Sequence, residues 1–205
     1  MRNTALRVEE APKTWSREIG ERRANHRLRT VYCVSRVSAN GDLGLARLLN
    51  ISNEGMMLSH SLDVRPGDHL RVDLSEDRSY ETRVIWRDGL HCGVRLRAPI
   101  DCVETVKGLC EDRRACAGRP LRLPLSKEAM ASSELGLHRI RLQDVSQNGL
   151  NVFHDGRFKE GLAVKVRLAA GIERRGVVRW LQDGRAGIAL RDLLTVEQLG
   201  SANKL

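Results

Sequence analysis

Aromatic side chains are scarce in this chain of 205 residues: three Trp, two Tyr and two Phe. So few rings leave little to stack successive bases upon, and no recognition helix stands out, so nucleic acid is a disfavoured partner. No run approaches eighteen apolar residues, which excludes a membrane-spanning helix. The opening stretch MRNTALRVEEAPKTW has no apolar core and carries acids, unlike a secretion signal. The five cysteines (Cys33, Cys92, Cys102, Cys110, Cys116) include no CxxC pair, and His91 beside Cys92 does not match the spacing of a zinc module. Reduced cysteines in a cytoplasmic protein are the better reading. Catalytic signatures are missing as well: no GK[ST] phosphate loop, no GxSxG elbow and no HExxH helix. The sequence therefore does not read as an enzyme, and it calls for no metal or cofactor.

What the chain does have is positive charge and a repeat. Lys and Arg number 35 against 26 acids, a net of +9. Residues 1–30 hold eight basic side chains, among them Arg17, Arg22, Arg23, Arg27 and Arg29, against four acids. A basic arm ahead of a compact domain points to an anionic partner: a nucleotide, a nucleic acid, or an acidic protein or membrane surface. The repeat decides the architecture. Residues 46–97 laid without a gap over residues 140–191 match at 13 of 52 positions, including Ser52/Ser146, Gly55/Gly149, Trp86/Trp180 and Gly93/Gly187. Whatever one copy has and the other lacks is therefore function before it is fold.

Each copy reads as short strands broken by turns. In unit one, ARLLNIS is followed by an Asn-Glu-Gly turn in which Gly55 is expected to take a positive φ. MMLSH then leads to the turn Arg65-Pro66-Gly67-Asp68. HLRVDL alternates with period two at Leu70, Val72 and Leu74, and ETRVIW and HCGVRL flank Asp88-Gly89. Unit two repeats the order. Five or six such strands favour a small antiparallel barrel, which hides its own edges. Residues 100–115 place Val103, Val106 and Leu109 at helical spacing, a helix closing unit one, and LLTVEQLG is a shorter echo closing unit two. Trp86 and Trp180 read as packing in the core or at the barrel rim. The matched His60 and His154 read as structural.

Two motifs carry the functional argument. ERRANHR sets Arg23 and Arg27 four apart with Arg22 adjacent, and NISNEG sets Asn50, Ser52 and Gly55 at N-x-S-x-x-G spacing. In this order, ahead of VIW and CGVRL, they resemble the PilZ domain family. The resemblance implies an all-β chain of two tandem six-stranded antiparallel barrels, each followed by a short helix. Its divisions would be a flexible arm at 1–19, a first PilZ-like domain at 20–112 and a second at 113–205. It also implies the ligand cyclic di-GMP, a bacterial second messenger with two guanines and two phosphates. Arginine suits such a ligand, because a guanidinium forks onto guanine O6 and N7 or grips a phosphate. By this resemblance Arg22, Arg23 and Arg27 would fold over a surface lined by Asn50, Ser52 and Gly55.

Unit two keeps Asp144, Ser146 and Gly149 in DVSQNG, but its basic stretch DRRACAGRPLR sets no two arginines four apart. Arg122 corresponds to the arginine entering the first strand, leaving Gly118 where its partner should stand. Arg119, Arg122, Asp144, Ser146 and Gly149 would make at most a weaker second site, and unit two is expected not to bind. The expected function is thus a cytoplasmic cyclic di-GMP receptor that signals to a downstream protein partner by arm ordering and domain rearrangement. The alternative is a ligand-independent scaffold of two protein-interaction barrels.

Overall fold

The computed structural model describes residues 28–115, 120–169 and 171–205. Six antiparallel strands, β1 (Leu28–Ala39), β2 (Asp42–Ile51), β3 (Gly55–Ser59), β4 (His69–Asp73), β5 (Ser79–Asp88) and β6 (His91–Leu96), close a barrel in the order β1-β2-β3-β6-β5-β4. Six more, β7 (Leu123–Ser133), β8 (Gly136–Val145), β9 (Gly149–Phe153), β10 (Ala163–Ala169), β11 (Ile172–Gln182) and β12 (Arg185–Leu190), close a second barrel in the matching order. β2 and β8, β3 and β9, and β6 and β12 each begin 94 residues apart, the offset of the sequence repeat.

Alternation decides which side chains fill each barrel. Leu70 and Val72 of β4 are buried with an exposed Arg71 between them, and with Leu48, Ile51, Leu58 and Val84 they belong to the first core. Leu123, Ile140, Leu142, Leu150, Val166 and Ile188 do the same in the second. Burial of this kind is worth about 1.5–3 kcal/mol for each such side chain.

α1 (Cys102–Ala115) follows the first barrel as expected. Asp101 caps it, its Oδ1 accepting from the amides of Val103 and Glu104 at 2.9 Å each. The buried stripe is Cys102, Thr105 and Leu109, however, and Val103 points outward at 58% exposure. The second barrel is followed by turns through LLTVEQLG and a short 3-10 helix, Ala202–Lys204.

The barrels share a seam. Leu45 of β2 points out of its own barrel into the core of the second, where Val34 and Leu43 also pack. Its amide donates to the carbonyl of Leu199 at 2.7 Å, and Asp42 accepts from the Ser201 hydroxyl at 2.6 Å. Arg36 of β1 donates to Asp73 at 2.9 Å and to the carbonyl of Arg122 at 2.7 Å. Burial alone would raise the Asp73 carboxyl, but hydrogen bonds from Ser79, Arg36 and Arg71 hold it below the ordinary range.

Candidate ligand-binding groove

The first barrel carries a groove of about 240 Å³ on its outer surface. Register builds it. Asn50 of β2 stands opposite Met57 of β3, Met57 opposite Gly93 of β6, and Gly93 opposite Trp86 of β5. One row across four strands thus runs from an amide to an indole. Ser52, Gly55 and Arg95 line the same groove, with Glu54 as its carboxylate.

Each lining residue has a distinct local role. Asn50 is half-buried, and its side chain, which carries both a donor and an acceptor, makes no hydrogen bond among the described residues. Ser52 closes the turn: its hydroxyl donates to the carbonyl of Gly55 at 3.1 Å and accepts from the Gly55 amide at 3.2 Å. Gly55 does not take the expected positive φ. It is glycine because a Cβ there would lie 2.4 Å from the carbonyl oxygen of Val94 on the neighbouring strand. Asn53, between them, ties the motif to α1, its Oδ1 accepting from the Cys102 amide at 3.1 Å.

Trp86 is not a core residue. It lies on the outer face, 41% exposed, with its indole across Gly93, where a Cβ would come within 2.1 Å of Nε1. A flat, half-wet aromatic ring at one end of a groove and an amide at the other offer a face and an edge to a planar polar ligand. Arg95 adds an exposed cation with no ion-pair partner among the described residues. Trp86 and Arg95 were missed as site residues. The repeat held a signal for Arg95, which meets Ala189, and none for Trp86, whose pairing with Gly93 recurs as Trp180 and Gly187.

Arg22, Arg23 and Arg27 lie outside the described residues, as does Arg119. The point at which the arginine segment joins the fold is described. Leu28, the next residue after Arg27, pairs with Ile51, and Arg29 pairs with Asn50. β1 therefore begins, one residue after Arg27 in the sequence, alongside the strand that carries Asn50 and Ile51.

The second barrel repeats the row as Asp144, Asn151, Gly187 and Trp180. Its polar end is occupied from within. Asp144 forms an ion pair with Arg122, the residue just before β7, and its other oxygen accepts from the Asn151 amide at 2.9 Å. Ser146 and Gly149 keep the turn, with the hydroxyl donating to the Gly149 carbonyl at 3.2 Å.

No group of His, Cys, Asp and Glu among the described residues is placed to hold a metal. Cys92 is buried, which pushes its thiol up, whereas the adjacent His91 is exposed on the opposite face of β6. No helix among the described residues is long and apolar enough to cross a membrane.

No curated protein matches the chain. Among solved structures, it is similar to the Borreliella burgdorferi PlzA protein in complex with c-di-GMP, at 12% identity and a TM-score of 0.36, covering 77% of this chain and 80% of that one. It is similar to the Bacillus subtilis inhibitor of motility MotI/DgrA at 14% identity and 0.32, covering 83% and 94%. A third is YcgR from Escherichia coli in complex with c-di-GMP, at 14% identity and 0.29, covering 81% and 77%. At these scores they carry no residue correspondence. The family model of the PilZ domain matches residues 21–111, the stretch that contains the arginine motif, the whole first barrel and the groove. Residues 21–111 are thus identified as a PilZ domain.

Proposed function

We propose that the chain is a cyclic di-GMP receptor whose ligand sits in the groove of the first barrel under Arg22, Arg23 and Arg27. One observation supports the reading: β1 begins at Leu28, the residue after Arg27 in the sequence, and pairs Leu28 with Ile51 and Arg29 with Asn50. A guanine presents an edge for the Asn50 amide and a face for the Trp86 indole, and the arginines fork onto a second guanine edge or a phosphate. Arg95 supplies a further cation, while Ser52 and Gly55 hold the turn that shapes the floor. The second barrel does not bind, because Asp144 has already taken Arg122 and the position of a second arginine is Gly118.

The signal would start in the arm. A charged segment without apolar periodicity gains its order from the ligand. β1 then runs from the end of that segment to Arg36, which holds the carbonyl of Arg122 across the seam. The ligand shifts the two barrels only by its difference in affinity between their arrangements.

Calorimetric titration with cyclic di-GMP tests the site. Each lost guanidinium contact costs about 1.5–3 kcal/mol, so Arg23→Ala/Arg27→Ala should weaken binding by at least about a hundredfold. Undiminished binding by the double variant would place the ligand elsewhere. No heat from the wild type would leave the scaffold reading in its place.

A further inference from the structure

β2 and β8 are the same strand 94 residues apart, and their outward faces meet different fates. The matched positions are Leu43 and Leu137, Leu45 and Arg139, and Arg47 and Arg141. On β2 the face is covered. Leu43 and Leu45 pack into the second core, the Arg47 guanidinium pairs with Glu197 at 3.0 Å, and Leu45 takes the carbonyl of Leu199. The covering segment, within residues 194–203, therefore brings leucine side chains and a carboxylate to a strand that presents leucines and an arginine.

On β8 the same face is open. Leu137 is 65% exposed, and Met130, opposite Arg139 on β7, is also exposed. Arg139, Arg141 and Arg185 are exposed, with no carboxylate at ion-pair distance among the described residues. Glu128 stands opposite Arg141 in register, yet the guanidinium lies over the Phe153 ring, 4.9 Å from its centroid. Arg185 approaches the same ring at 6.0 Å. The surrounding charge is unbalanced too: residues 120–205 hold 14 basic and 9 acidic side chains, net +5, against 13 and 13 in residues 28–115. Exposed arginine and methionine beside a leucine have the composition of a protein interface.

We propose that the outward face of β8, built by Leu137, Arg139 and Arg141 with Arg185 beside them, docks a protein segment bearing carboxylates next to leucine-type side chains. This is the chemistry that already covers the matched face of β2. Arg139 in place of Leu45 makes the β8 face more cationic, so its partner offers an extra carboxylate where the first seam has a buried leucine. A nucleic-acid backbone has no use for Leu137 and Met130, and the Phe153 ring is engaged by the arginines, so a protein segment fits better. The docking is independent of the ligand groove.

The test uses the whole chain, labelled with ¹⁵N, without cyclic di-GMP, titrated with a synthetic peptide of residues 192–205. The expected result is a set of shifted amides at Leu137–Arg141, Phe153 and Arg185, weakening as salt rises. Arg139→Glu/Arg141→Glu should cut the affinity at least tenfold, and so should Glu197→Lys in the peptide. Arg185→Ala is a milder second variant, expected to weaken binding by a smaller factor, and the remaining amide spectrum reports whether either variant is folded. Four results would each overturn the proposal: no shift at saturating peptide, shifts confined to β2 and the native tail, charge reversal without effect, or displacement of the peptide by a 15-nucleotide oligothymidylate.

Discussion

The two barrels share strand order, register and a Trp lying on a Gly, and they part at the polar end of one cross-strand row. In the first barrel that end is Asn50, whose amide makes no hydrogen bond among the described residues, with Arg95 lining the same groove and β1 starting alongside at Leu28. In the second it is Asp144, neutralised by Arg122 and bonded to Asn151, with Ala189 where Arg95 would stand. A carboxylate already holding its arginine has no reason to release it, since the ligand must break a charge-assisted bond before making one. The repeat thus offers a way to separate fold from function: the turn serine and the glycines recur because the barrel needs them, the indole recurs with its glycine, and the amide of Asn50 and the cation of Arg95 do not recur.

Three pairs of matched positions sharpen that contrast, starting with the largest effect. Leu45 fills the second core from the first barrel, whereas its counterpart Arg139 stands in solvent. Leu45→Ala should destabilise the chain by about 2–5 kcal/mol in denaturant unfolding, and Arg139→Ala by no more than about 0.5 kcal/mol. Similar losses from both would mean that the seam contributes nothing.

His60 comes next. It is 3% exposed and both ring nitrogens lack a partner among the described residues, whereas the matched His154 accepts from the Gly156 amide and stacks on Phe158. Burial, and then the positive charge of Arg87, lower the His60 pKa from 6.5 to about 4. Between those values the unfolded chain takes up a proton that the folded chain refuses. Stability is therefore full above pH 6.5 and drains as pH falls towards 4, by about 3 kcal/mol. His60→Leu should flatten this part of the stability-pH profile; an unchanged slope would show that another group carries the acid loss.

Much of this was legible before the structure, and the misses share a cause. The 94-residue offset reappears in strand after strand because each strand's period-two pattern fixes its own register. Pattern alone cannot say what lies outside a strand. Leu43 and Leu45 put apolar side chains on the outward face of β2, a sign of burial on both faces that the sequence reading passed over, while RIRL in β8 alternates cleanly. Val103 fits a helical stripe one position away from the stripe that is buried. Gly55 was assigned to backbone conformation, yet the approach of the Val94 carbonyl from another strand requires it, and no local window contains that contact. Trp86 was read as packing in the core or at the barrel rim; the glycine opposite, seven residues on, is what lets it lie flat on the outer face.

That same indole gives the most discriminating comparison, because everything about it except the neighbours is held constant. Trp86 and Trp180 are both 41% exposed, and both lie on a glycine that a Cβ would drive into the ring. Neither carries much of the core, so replacing either by Ala should change stability alike and little. Stacking a base on an aromatic side chain is worth about 1–3 kcal/mol. If the ligand lies along the Asn50 row, Trp86→Ala should weaken cyclic di-GMP about five- to a hundredfold by calorimetry, while Trp180→Ala leaves the affinity untouched. Equal weakening by both would mean that the second barrel also takes ligand despite its Arg122–Asp144 pair. No weakening by Trp86→Ala would mean that the ligand is held by the arginine segment away from this groove. The pair of variants thus separates the row from the arm, which removing the arginines alone cannot do.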